Sequence, residues 1–397
     1  MKKTISLALL GATTTSLMAL NADYASLYKD PRIMGMGGAN VAVGGYASSV
    51  FHNPAGLLKI SKDDGFVADL LNMNIEGSSN FKNFYDDYND ADTDSQKSDL
   101  SVKYSGEHFH FGVSNYSALS RHEEQFVWSV GVFSGVDANF ITHGNGSRAG
   151  GFLENSTRIY NGLVLAGGVP YETGYGQLSV GSSLKILTQK SYEGTLGITE
   201  VTKNKDDTQA LIDDLQEKYE NSSTGVGFDI GVIFQPTVIT ELNILNPSLG
   251  LSILNIGNIG FDEFGGQPLM VNVGASINPT IPNIKNFVFA IDYIDMFEGN
   301  NLRVYGATDE NGDVTYTDFT DSSFMKRFRV GASATVVESK IFDLTFNTGL
   351  YQSEITGGVD MRLGALRLNF TTYAQEIGTV NYSNVDRRYM FQMGINW

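Results

Sequence analysis

Apolar and polar residues alternate strictly near the end of the chain. Tyr389, Phe391, Met393, Ile395 and Trp397 share one face, and Arg388, Met390, Gln392, Gly394 and Asn396 share the other. A period of two describes a strand with one apolar and one largely polar face. In a soluble sandwich the apolar face meets a second sheet; in a membrane barrel it meets lipid, with aromatics near the interfaces. The same polarity recurs upstream, where Phe328, Val330, Ala332, Ala334 and Val336 oppose Arg327, Arg329, Gly331, Ser333 and Thr335. Leu366, Leu368 and Phe370 likewise face away from Arg367, Asn369 and Thr371.

Fifteen stretches read as strands: 64–76, 98–104, 108–118, 126–139, 157–171, 176–190, 225–235, 248–258, 268–278, 286–297, 324–337, 341–352, 355–363, 364–375 and 387–397. A single-chain bacterial barrel normally has an even number, so fourteen are expected, with 98–104 and 355–363 the weakest candidates. The long polar connections are 77–97, 140–156, 191–223 and 298–323. Within 191–223, Asp206 to about Glu220 predicts a helix, because Ala210, Leu211, Leu215 and Tyr219 share a face.

The opening residues change the picture from sheet to membrane. Lys2 and Lys3, an apolar run from Ile5 to about Leu20 and the exit Asn21-Ala22 form a secretion signal over 1–22, with the mature chain expected from Asp23. Beyond it no run of about 18 apolar residues offers a spanning helix, so a membrane form must be a closed barrel. The alternative is a soluble periplasmic or secreted β protein. Cysteine is absent, which removes disulfides and thiolate chemistry. The net charge of -17, or -19 without Lys2 and Lys3, argues against nucleic acid as a partner.

Between signal and first strand lie Asp30-Pro31-Arg32-Ile33-Met34-Gly35-Met36-Gly37-Gly38-Ala39 and Ser48-Ser49-Val50-Phe51-His52-Asn53-Pro54-Ala55-Gly56-Leu57. Gly35, Gly37 and Gly38 permit positive φ and close backbone approach, and Asn53 before Pro54 favours a turn. The pair of motifs resembles the N-terminal signature of the FadL superfamily, the relatives of long-chain fatty-acid transporters. The resemblance implies an all-β transmembrane barrel of about fourteen strands with residues 23–62 as a hatch in the lumen and 63–397 as the wall; an ordinary surface loop is the plainer reading of 30–57. The hatch elements would be Gly35, Gly37, Gly38, Asn53, Pro54, Ala55 and Gly56. Two side branches look most similar, the TraF-like outer-membrane family of plasmid-transfer operons and the barrel accessory of type IX secretion.

Other constellations carry less. Gly35 to Asn40 lacks the third glycine of a dinucleotide loop and follows no strand. His108 and His110 can share a strand face, but no third ligand stands at useful spacing, so no metal site and no cofactor are expected. The run Asp86 to Asp94 contains D-x-D-x-D but has Ser95 and Ser101 where a calcium loop needs glycine and glutamate, leaving a solvated loop as the default. No nucleophile elbow or nucleotide loop argues for an enzyme. Arg327, Arg329, Arg367 and Arg388 fall on polar strand faces, where lumen acids such as Asp343 or hatch acids such as Asp30 are the expected partners.

Two functions follow as expectations. The first is a passive outer-membrane channel for hydrophobic small molecules with a hatch-gated lumen. The second is a non-transporting accessory barrel that holds an envelope protein through the 191–223 loop. Both need the outer-membrane bilayer and the barrel-assembly machinery, which the terminus Tyr389 to Trp397 would address.

Overall fold

The computed structural model describes residues 26–61, 65–144, 152–197, 220–237, 243–257, 259, 266–308, 314–320, 322–378 and 383–397. Its wall is built from β1 (Phe66–Ser78), β2 (His108–His122), β3 (Val127–His143), β4 (Phe152–Thr173), β5 (Gly176–Gly197), β6 (Glu220–Pro236), β7 (Pro247–Ile256), β8 (Met270–Ile277) and β9 (Asn286–Tyr293). A separate hairpin, β10 (Asn301–Thr308) and β11 (Val314–Thr320), interrupts it before β12 (Phe328–Glu338), β13 (Phe342–Tyr351), β14 (Glu354–Leu363), β15 (Leu366–Glu376) and β16 (Val385–Asn396). Fourteen strands close antiparallel, with β1 paired to β16 from Asp69↔Asn396 to Ser78↔Arg388. Closure leaves no sheet edge, as a lipid-embedded wall requires.

The alternation sorts cleanly onto the two faces of this transmembrane barrel. On β16, Tyr389, Phe391, Met393 and Ile395 are exposed on the outside, while Arg388, Met390 and Gln392 are buried within. Val130, Val132, Phe346 and Phe370 continue the outer apolar surface. Turns 174–175 and 364–365 lie at one end of the barrel, and the connection 79–107 and the turn 352–353 lie at the other. At 22 residues each, β4 and β5 are about 70 Å long, more than a tilted strand needs to cross a membrane.

Four expectations need correction. Residues 98–104 are not a strand: Thr93 caps through Gln96, and a helix runs Asp94–Lys103 after another at Phe81–Asp90. Leu100 and Tyr104 pack there on Phe109, and Asp86 and Asp87 pair with Lys82 and Lys103, so Asp86 to Asp90 and Asp94 of the acidic run lie in helices rather than in the solvated loop expected. The stretch from 324 begins with a helical turn, Phe324–Arg327, before β12. The loop 298–323 holds the β10–β11 hairpin. Residues 355–363, by contrast, are a wall strand. The expected signal at 1–22 and residues 206–219 of the expected helix lie outside the described residues, and Glu220 opens β6.

Candidate functional site

Residues 26–61 pack against the inward face of the wall. Asp30 begins a short helix, α1 (Pro31–Gly35), by accepting from Arg32 N at 2.9 Å, with Pro31 at the first helical position. Burial alone would raise the Asp30 carboxyl. Arg32, paired at 2.5 Å, and the Ser48 hydroxyl at 2.6 Å instead hold it well below the usual carboxylate range. Gly37 and Gly38, at φ 65° and 77°, end the helix. A β-carbon on Gly35 would stand 2.9 Å from Asn347 Cβ, so only glycine fits this close to the wall.

Wall side chains then receive the segment's backbone at intervals. Thr371 Oγ1 donates to Pro31 O at 2.7 Å, and Thr356 Oγ1 donates to Gly35 O at 2.8 Å while accepting from Gly37 N at 3.1 Å. Asp292 Oδ2 accepts from Asn40 N at 2.6 Å and from Val41 N at 2.8 Å. Ser252 Oγ donates to His52 O at 2.7 Å. Asn53 starts a 3-10 turn, Pro54–Lys59, by accepting from Ala55 N at 3.0 Å. Its Nδ2 donates to Val41 O at 2.7 Å and to Val232 O of β6 at 3.1 Å. Gly56 Cα packs on Gly44, where a β-carbon would come within 2.8 Å. Burial pushes the His52 imidazole down to about 4 and the Lys59 ammonium down to about 8.

Beneath this segment lies an aromatic cluster in which Tyr28 and Phe51 contact Tyr116 and Phe133, with the Phe51–Tyr116 centroids 4.9 Å apart. Gln392 donates to the Tyr28 hydroxyl at 2.7 Å. Beside the cluster a cavity of about 80 Å³ opens between segment and wall. Leu27, Met34, Phe51, Leu254, Met270 and Ile294 give it apolar sides, and Lys29, Lys185 and Arg329 give it a cationic rim.

The four arginines are placed as follows. Arg327 is fully buried at the end of the 324–327 turn, 3.6 Å from Asp295. Arg329 lies over the Tyr351 ring at 4.0 Å. Arg367 pairs with Asp360 at 2.7 Å and Arg388 with Asp386 at 2.6 Å. The direct ion pairs differ from those expected: Asp343 takes Arg362, with Arg367 acting on it from farther away, and Asp30 takes Arg32. Thr371 was placed on a polar strand face by the sequence, whereas Asp292 and Thr356 were not singled out there. Their alternation marks them as inward-facing, but nothing local says what they receive.

No family model matches the chain, and no curated protein matches it in sequence. Among solved structures it is similar to the toluene transporter TbuX of Ralstonia pickettii, with TM-score 0.52, 13% identity, and 94% of this chain and 99% of that chain covered. It is also similar to the toluene transporter TodX of Pseudomonas putida, with TM-score 0.51, 12% identity, and coverage of 95% and 99%. At such identity the likeness concerns the fold: this chain shares the barrel fold of these two proteins almost end to end.

Proposed function

We propose that the protein is a passive outer-membrane channel for the uptake of hydrophobic small molecules, with residues 26–61 acting as a hatch. The observation that carries the reading is the cavity enclosed by Leu27, Met34, Phe51, Leu254 and Met270, an apolar site set between the segment and the wall of a lipid-facing barrel. Apolar solutes gain about 25 cal/mol per Å² on entering such a site, which draws them out of water without an energy source. The two toluene transporters of similar fold support the same substrate class. Export by the 1–22 signal and recognition of the Tyr389–Trp397 strand by barrel-assembly machinery complete the proposal. The test is uptake by proteoliposomes: labelled toluene should enter faster than into protein-free vesicles, and a neutral trisaccharide should not. Equal entry of toluene with and without protein, together with no binding of any apolar probe, would sink the proposal.

A further inference from the structure

Glu76, His110 and Asp137 stand on the neighbouring strands β1, β2 and β3, beside residues 26–29. Each offers one ligand atom, and the three atoms lie within 4.8 Å of one another. His110 is completely buried and Glu76 nearly so.

The two ring nitrogens of His110 have different surroundings. Nδ1 lies 2.9 Å from Asn139 Oδ1, and Asn139 Nδ2 donates to Asp137 Oδ1 at 2.5 Å, which fixes the oxygen of the amide towards the ring. Nδ1 therefore carries the proton. Asp137 Oδ1 lies 3.7 Å from Nδ1, and Nε2 stands 3.0 Å from Glu76 Oε1. A lone pair and a carboxylate oxygen at that separation need a positive centre between them, either a second proton on the ring or a metal ion.

Two observations favour the ion, and the 3.0 Å Nε2–Oε1 spacing, which also suits a hydrogen bond, would open to about 3.4 Å for two bonds of about 2.1 Å at the tetrahedral angle. The Nδ1–H bond to Asn139 is the outer bond by which metal-bound histidines are oriented. A cavity of about 30 Å³, lined by Glu76, Ser114, Asp137 and Lys29, opens beside the carboxylates and leaves room for a water ligand. Lys29 Nζ stands 4.0 Å from Glu76 Oε1, and Tyr373 donates to Oε2 at 2.9 Å.

We propose that Glu76, His110 and Asp137 bind one divalent transition-metal ion of zinc type inside the barrel, with Asn139 as the positioning residue. An imidazole with two carboxylates suits Zn²⁺ better than Ca²⁺ or Mg²⁺.

The test uses the full barrel in detergent, stripped with a chelator and titrated with Zn²⁺ alone by calorimetry. One site per barrel is expected. His110→Gln should weaken it at least about 100-fold and Asn139→Ala about 10- to 100-fold. His143→Asn, whose ring pairs with Glu154 instead, should change it less than about twofold. Zinc binding no tighter in the wild type than in His110→Gln, or lost equally in His143→Asn, overturns the site. Should His110→Gln fail to show heat-modifiable migration, the wild type decides by itself. Imidazole ¹⁵N spectra then either report zinc on Nε2 of His110, or keep a proton there with zinc present, which is the imidazolium alternative and defeats the proposal.

Discussion

The side-chain amide of Asn53 lies directly over the backbone of Gly231. Its Nδ2 reaches Val232 O at 3.1 Å, and its Oδ1 and the Cδ of Pro54 occupy the space where a β-carbon on residue 231 would project. The Asn-Pro-Ala turn and a wall glycine from β6 are thus one joint.

Gly231→Ala should push Asn53 off Val232 and weaken the seating of the segment by roughly 1–3 kcal/mol, the usual cost of overpacking. Gly357→Ala is the matched control, since a β-carbon there meets nothing within 4 Å. Planar-bilayer recordings should show larger or noisier conductance for the first variant and wild-type traces for the second. Identical traces from both would separate the joint from gating.

Asp292 makes a second joint, because one carboxylate oxygen holds the amides of both Asn40 and Val41. Asp292→Ala leaves two buried N–H groups unsatisfied, at about 1–3 kcal/mol each, partly offset by no longer burying a charge. Protease protection of residues 26–61 in the folded barrel should fall, while heat-modifiable migration persists. Undiminished protection would show that the remaining threonine and serine contacts suffice.

Much of this was readable beforehand, and the boundary has a physical cause. A two-residue period states which face a side chain occupies, so the wall strands and the inward positions of Arg329, Arg367 and Arg388 follow from local order. Parity selects fourteen but does not say which candidate fails. Residues 98–104 alternate weakly, and the cap formed by Thr93 and Gln96 turns them into a helix. Glycines 35, 37 and 38 announce a tight backbone, but their receivers Thr356 and Asn347 lie more than 300 residues away. Glu76 and Asp137 were hidden from His110 for the same reason, since strand pairing alone brings them together.

Acid should loosen the segment. The His52 ring is pushed down by burial from 6.5 to about 4, against a raising influence from Asp30. A depressed folded value means the unfolded segment binds the extra proton first. The stabilisation is complete above pH 6.5 and is lost as pH falls towards 4, by about 3 kcal/mol at the 1.36 kcal/mol of each unit. Proteolysis of residues 26–61 should therefore accelerate between pH 6.5 and pH 4, and His52→Gln should flatten that profile. A wild-type rate that stays constant across the window would contradict the buried neutral imidazole.

The cavity itself can be tested without touching the joints. Leu254 and Met270 form a small buried cluster with Ile294 on its wall side. Leu254→Asp places a carboxylate among apolar groups, so a bound hydrocarbon loses apolar contact and meets a group that prefers water. Toluene uptake should drop at least about tenfold, equivalent to 1.4 kcal/mol of binding. Leu254→Met keeps volume and apolarity and should leave uptake within about twofold. Both variants change the same position in the wall, so a shared folding defect would lower both. Only a solute route through the cavity separates them, and equal uptake by the two would place the route elsewhere in the barrel.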